Sequence, residues 1–218
     1  MKLIVRCTIA ILFVMMALMA PTDKALAQGR PFYVGVFGGY TIPQNMTWNS
    51  QINGQTLNIN VDNTGMIGFK FGYIIPPVPM LALEFEYNHI FDHNYGPTQS
   101  SSGFREAGDA YLDNFFFNLI LRYPKGRIHP YVGGGIGWSY FNIHNLETDL
   151  TLPGQPTAIQ DESATNFAWQ LLGGLDFEII PSLSADITYR YFGTDPHLSV
   201  IDVNYRTSII SAGLNFHF

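Results

Sequence analysis

The sequence predicts an all-β protein, an eight-stranded antiparallel up-and-down transmembrane β-barrel. Three observations predict it: apolar residues alternate with period two in eight segments, aromatic residues sit at the ends of the apolar rows, and the connections between segments alternate between short and long. Composition agrees. Of 218 residues, 47% are apolar, 15% aromatic and only 13% charged, against roughly 25% charged in ordinary soluble domains. Together with 21 Gly, 17 Phe and 12 Tyr, this excludes a disordered tail, a coiled coil and an ordinary helical enzyme. A formal charge of −6 argues against nucleic acid as a partner, which would call for clustered Lys and Arg.

The chain opens with an address. Lys2 and Arg6 precede an apolar run from Cys7 to Ala20, and Ala25-Leu26-Ala27 supplies a small-residue cleavage site, with Ala25 and Ala27 as its determinants. The apolar run is 14 residues long, too short to span a bilayer comfortably. The expected organisation is a signal peptide over 1–27 and one barrel domain over 28–218, with no further domain after Phe218. Cys7, the single cysteine, leaves with the peptide, so neither a disulfide framework, a Cys-based zinc site nor an N-terminal lipid anchor is expected. The remaining 8 basic and 16 acidic residues give the mature chain a net charge of −8.

Each strand reads as two rows. Ile67, Phe69, Phe71 and Tyr73 interleave with Met66, Gly68, Lys70 and Gly72; Leu81, Leu83, Phe85 and Tyr87 alternate with Ala82, Glu84, Glu86 and Asn88. Phe115 to Tyr123, Phe167 to Phe177, Leu183 to Tyr191 and Ile210 to Phe218 repeat the pattern, and Phe32–Tyr40 and Pro130–Phe141 follow it less cleanly because glycine occupies both rows. One row carries almost no charge. The other carries Lys70, Glu84, Glu86, Arg122, Asp176, Asp186 and Arg190. A sheet in water hides its apolar row, whereas a membrane barrel turns that row to lipid and encloses the polar one.

Aromatic girdles and loop lengths select the membrane. Tyr40, Tyr87, Phe115, Tyr140 and Tyr191 would ring one end and Phe32, Tyr73, Tyr123, Phe177 and Phe218 the other, with aliphatics such as Val36, Leu83, Leu119, Ile136, Leu171 and Ile187 between. The connections near Ile75–Pro79, Pro124–His129 and Ile179–Ser182 are short, and those at Thr41–Thr64, Ile90–Ala110, Asn142–Ala164 and Gly193–Tyr205 are long. Short periplasmic turns and long outer loops produce this rhythm. Lipid offers an edge strand no hydrogen-bond partner, so the last strand must close on the first.

With these residues placed, the chain resembles the small eight-stranded outer-membrane barrels, the group of the OmpA transmembrane domain and the opacity-type surface proteins. The resemblance covers essentially all of 28–218. It is most specific in the ending Ser211-Ala212-Gly213-Leu214-Asn215-Phe216-His217-Phe218, which is similar to that family's assembly signal through Ser211, Gly213, Phe216 and Phe218. What the resemblance implies is residence in the bacterial outer membrane, contact with its lipid and lipopolysaccharide, and recognition by the barrel-assembly machinery.

The inward charges are expected to pair: Lys70 with Glu84 across a symmetric second turn, Arg122 with Glu84 or Glu86, and Arg190 with Asp176 and Asp186, because charges in a narrow lumen are tolerated only when paired or solvated. Phe116, Ile120, Tyr131 and Phe141 would fill the lumen opposite Gly133, Gly135 and Gly137, since eight strands leave room for little beyond side chains. Those glycines form no phosphate loop, because Trp138 stands where a third glycine is needed. His89, His93, His144 and His197 map to the outer rim near Asp92 and Asp195, with Ser100, Ser101 and Ser102 in the loop of His93. These histidines read as hydrated loop residues, and no residue is assigned a catalytic, cofactor or metal role. Asn53-Gly54 signals a hairpin that carries the first two strands above the membrane as a ribbon holding Trp48, Ile52, Leu57 and Ile59. The functional expectation is a non-enzymatic barrel whose loops meet an extracellular ligand, in adhesion or envelope integrity. The alternatives are a lipid A-modifying enzyme acting through a rim histidine and a small channel for apolar solutes.

Overall fold

The computed structural model describes residues 30–44, 46–50, 56–59, 62–94, 107–148, 157–158, 162–196 and 201–218. Its strands are β1 (Phe32–Pro43), β2 (Met46–Ser50), β3 (Thr56–Ile59), β4 (Thr64–Ile74), β5 (Leu81–Asn94), β6 (Ala107–Arg122), β7 (Ile128–Thr148), β8 (Thr157–Ala158), β9 (Glu162–Ile180), β10 (Leu183–Thr194) and β11 (Ile201–His217). Eight of them, in the order β1-β4-β5-β6-β7-β9-β10-β11, form an antiparallel wall. That wall closes through β1 and β11, in register from Tyr33↔His217 to Pro43↔Thr207. Closure leaves the wall without an edge, which a hydrocarbon environment demands.

The two rows of each strand face as a membrane barrel requires. Val36, Ile136 and Leu171 are 63%, 62% and 57% exposed, whereas Glu86 and Arg190 are 0% and 1% exposed. A barrel built for water would show the opposite. The outward apolar row is not divided neatly into girdles and an aliphatic middle: Phe69, Phe71 and Phe117 are exposed between the ends, and the Phe85 ring lies 5.5 Å from Phe117 and 6.5 Å from Phe69. Rings are accepted at mid-depth because lipid tails reward any apolar surface. At the inner end, Phe32 stacks near Tyr73 at 4.9 Å and Phe218 at 6.0 Å.

Close approach explains the glycines of β7. A Cβ on Gly137 would collide with the backbone carbonyl of Phe115 on β6, and one on Gly133 would meet the Ile120 side chain at 2.6 Å. Glycine here lets two strands and a filling side chain share one level of the lumen.

Several strands run further outward than their alternation suggests. β5 reaches Asn94, β6 starts at Ala107, β7 continues to Thr148 and β9 starts at Glu162, so parts of the expected loops Ile90–Ala110 and Asn142–Ala164 are strand. Beyond the lipid both faces meet water, the apolar contrast fades, and backbone pairing persists without it. The β2–β3 hairpin pairs with the outer part of β11, Thr47 opposite Asn204 and Ser50 opposite Ile201. Its register, Met46↔Ile59, continues that of β1–β4, which ends at Thr41↔Thr64. The expected ribbon is therefore an extension of the first hairpin, although Asn53-Gly54 and Ile52 lie outside the described residues, as do the side chains of Trp48, Leu57 and Ile59.

Candidate functional site in the lumen and at the outer rim

The inward row of every wall strand converges on the barrel axis. At the periplasmic mouth, His129 at the start of β7 donates from Nδ1 to the Tyr123 carbonyl at 2.8 Å, and its Nε2 lies 3.8 Å from Glu178. Ser184 Oγ meets His217 Nε2 at 3.0 Å. One level further in, Arg122 on β6 faces Asp176 on β9 at 3.5 Å.

The central level holds the other charges. Lys70 on β4 reaches across to Asp186 on β10 at 2.8 Å, and Asn215 Nδ2 donates to the same carboxylate at 2.9 Å. Thr188 donates to Asp186 Oδ1 at 2.9 Å and meets the Tyr131 hydroxyl at 2.6 Å. Glu84 accepts from Tyr33 at 2.7 Å and from Asn118 at 3.1 Å. Glu86 accepts from Asn88 at 3.0 Å and from Asn118 at 3.2 Å, and Arg190 Nε stands 3.5 Å from it. Arg190 also donates to Ser211 and lies over the Phe37 ring, 4.5 Å from its centroid.

All the charged residues read as inward are buried, but their partners differ from those expected. Lys70 makes its close ion pair with Asp186, while Glu84 acts on it electrostatically as expected; in the β4–β5 register Lys70 stands opposite Glu86, and Glu84 opposite Gly72. Arg122 pairs with Asp176 and not with Glu84 or Glu86. Arg190 has its close contact with Glu86, with the expected Asp186 also among the charges that act on it. The lumen is narrow enough for long side chains to bridge it, so the pairs skip one or more wall strands instead of joining adjacent ones. Sequence reading also missed the neutral members, Tyr33, Asn118, Gln170 and Thr188. Their signal was available for three of them, since Asn118, Gln170 and Thr188 each share a strand phase with a charge, whereas Tyr33 lies on β1, which carries none.

Outward of this level the lumen is richer in apolar side chains, with Asn88, Asn114 and Ser139 buried among them. Met66, Ile90, Leu112, Phe116, Phe141 and Phe192 are at most 2% exposed, and Phe192 packs edge-on against Phe116 at 5.8 Å and Tyr205 at 5.9 Å. A space of about 40 Å³ lies below this plug among Tyr33, Lys70, Glu84, Arg122, Asp186 and Arg190. It has room for a few waters, each needing roughly 10–15 Å³. The arrangement fastens the wall and fills the bore.

At the outer rim, His89 Nδ1 lies 2.9 Å from Asp113 Oδ1, and Tyr87 donates to that same oxygen at 2.6 Å. The pair is on the outward face, beside the Phe91 and Tyr111 rings. His197 and Ser100, Ser101 and Ser102 lie outside the described residues, and the side chains of His93 and His144 do too. Among the described residues, no group of three or more His, Cys, Asp or Glu is arranged to hold a metal ion.

Comparison with known proteins agrees with this architecture. A family model described as outer membrane protein beta-barrel domain matches residues 9–218. The chain belongs to that family. It is a bacterial outer-membrane β-barrel. Its fold is similar to that of Neisserial surface protein A, at 17% identity over 86% of this chain and 97% of that one, with a TM-score of 0.58. It is similar in the same way to outer membrane protein OprG of Pseudomonas aeruginosa, at 15% identity over 88% and 98%, with a TM-score of 0.53. AlkL, solved in lipid bilayers, aligns at 20% identity over 91% and 94%, with a TM-score of 0.50. An uncharacterised protein of Brucella abortus (strain 2308) is 24% identical over 104 residues, 45% of this chain and 36% of that relative. The chain thus spans little more than a third of the length of the curated relatives it matches.

Proposed function

We propose that the protein is a non-enzymatic surface-display barrel. Its bore is closed, and the outer strand extensions and connections carry the partner-specific role, in adhesion or in envelope integrity. The observation that supports this reading is the filled lumen: among the described residues, an ion-paired level lies beneath a level packed with large apolar side chains. Strand length supports it. β7 has 21 residues, and at about 3.3 Å per residue and a tilt of roughly 45° it rises about 49 Å, against an apolar band of about 25 Å. The excess stands outside the membrane as ordered sheet.

The test couples two measurements on the purified full chain. In planar bilayers the protein is expected to give no large, steady conductance. Removing residues 47–61 is expected to abolish adhesion of cells expressing it while the barrel keeps its heat-dependent gel shift. Steady large openings would overturn the closed-bore reading, and unchanged adhesion would overturn the role of the ribbon.

A further inference from the structure

Charges outside the lumen are distributed unevenly along the barrel axis. At the periplasmic end, Arg30, Lys125 and Arg127 are all exposed. The other two short connections, at Pro76–Met80 and at Pro181 and Ser182, carry no charge. The nearby acids are drawn inward: Asp176 faces Arg122 and Glu178 faces His129. At the outer end the balance reverses. Asp62, Asp92, Asp109, Glu147, Glu162 and Asp202 occupy the described strand ends there, while Arg206 is held by Asp195 through two contacts of 2.9 Å.

The periplasmic cations are also held in place. Gly126 has φ 81° and forms the bend that separates Lys125 from Arg127. Tyr123 N donates to the Pro130 carbonyl at 2.9 Å and Glu178 N to the Arg127 carbonyl at 2.8 Å, so the turn is tied on both sides. Their height follows from their neighbours. Tyr123 and the exposed Ile128 flank the turn, and Arg30 lies two residues before Phe32, whose ring contacts with Tyr73 and Phe218 mark the inner aromatic level. Residues just beyond an aromatic girdle stand at the depth of lipid headgroups.

We propose that Arg30, Lys125 and Arg127 form a docking rim for anionic phospholipid headgroups of the inner leaflet. Arginine meets a phosphodiester with two parallel donors and lysine meets it as a point charge. Attraction to a negative leaflet adds with each cation and fades within a Debye length, about 8 Å at physiological salt. Acids dominate the described strand ends at the outer side, so the preference is proposed for one leaflet. It does not depend on any role of the outer loops.

The test uses the full chain refolded into mixed vesicles of phosphatidylcholine and phosphatidylglycerol, then native mass spectrometry of the lipids it retains. The unmodified protein is expected to retain phosphatidylglycerol over phosphatidylcholine by about fivefold or more, after correction for vesicle composition. The triple variant Arg30→Gln, Lys125→Gln, Arg127→Gln is expected to fall to parity, and Arg206→Gln to keep the preference. The heat-dependent gel shift reports that each variant is folded. Equal retention by the unmodified protein, or a preference that survives in the triple variant, overturns the proposal. So does loss of the preference in excess inorganic phosphate at constant ionic strength, which would mean a site for the free anion. Co-sedimentation with peptidoglycan sacculi that is lost in the triple variant, without any lipid preference, would assign the rim to the cell wall and overturn it as well.

Discussion

The two halves of the lumen solve one packing problem by different means. The periplasmic half is fastened by directional contacts: Lys70 to Asp186 at 2.8 Å, Arg122 to Asp176 at 3.5 Å and Arg190 to Glu86 at 3.5 Å, with amides and hydroxyls meeting much of the remaining hydrogen-bonding capacity. The outer half is packed more by shape, with the Phe192 ring between those of Phe116 and Tyr205 and with Leu112, Ile90 and Met66 fully buried. The polar half has the water-sized space and the apolar half closes above it. A buried charge that loses its partner costs far more than an apolar side chain that loses a few neighbours, so the two halves should differ in how they fail.

The largest effect is expected in the polar half. Arg190→Ala leaves Glu86 buried without its cation and should destabilise the barrel by about 3–5 kcal/mol in urea unfolding from vesicles. Replacing both partners, Glu86→Leu with Arg190→Met, should return most of that loss. A single substitution costing under about 1 kcal/mol would mean the pair is solvated, and the contrast between the halves would break. Next comes the apolar half, where Leu112→Ala should cost about 2–4 kcal/mol through the cavity it leaves, measured in the same unfolding experiment. The smallest effect belongs to the exposed outer pair. Asp195→Asn should cost less than about 1 kcal/mol, and less again at high salt. A larger cost there would show that charge pairing outside the membrane is as structural as pairing within.

Strand phase was legible because lipid outside and polar groups inside impose opposite demands on alternate residues, and Leu83, Leu171, Lys70 and Glu86 each fall on the side their chemistry requires. Partner choice was not legible. Lys70 and Asp186 are 116 residues apart on β4 and β10, strands separated by β1 and β11, and alternation says nothing about what meets across an axis. Strand ends were also hidden: past the lipid at Asn94 or Thr148, neither face needs to be apolar, so the pattern stops before the pairing does. The rim pair His89–Asp113 shows a third limit, since His89 read only as a hydrated loop residue at the rim, and the β5–β6 register is what sets Asp113 directly opposite it.

The shared register of Thr41↔Thr64 and Met46↔Ile59 has a mechanical consequence. Whatever grips the hairpin tip from outside pulls along the same two chains that run down through the bilayer, so the load passes straight into the wall and is shared by its ladder. The ribbon is moored like a mast stepped through the deck to the keel.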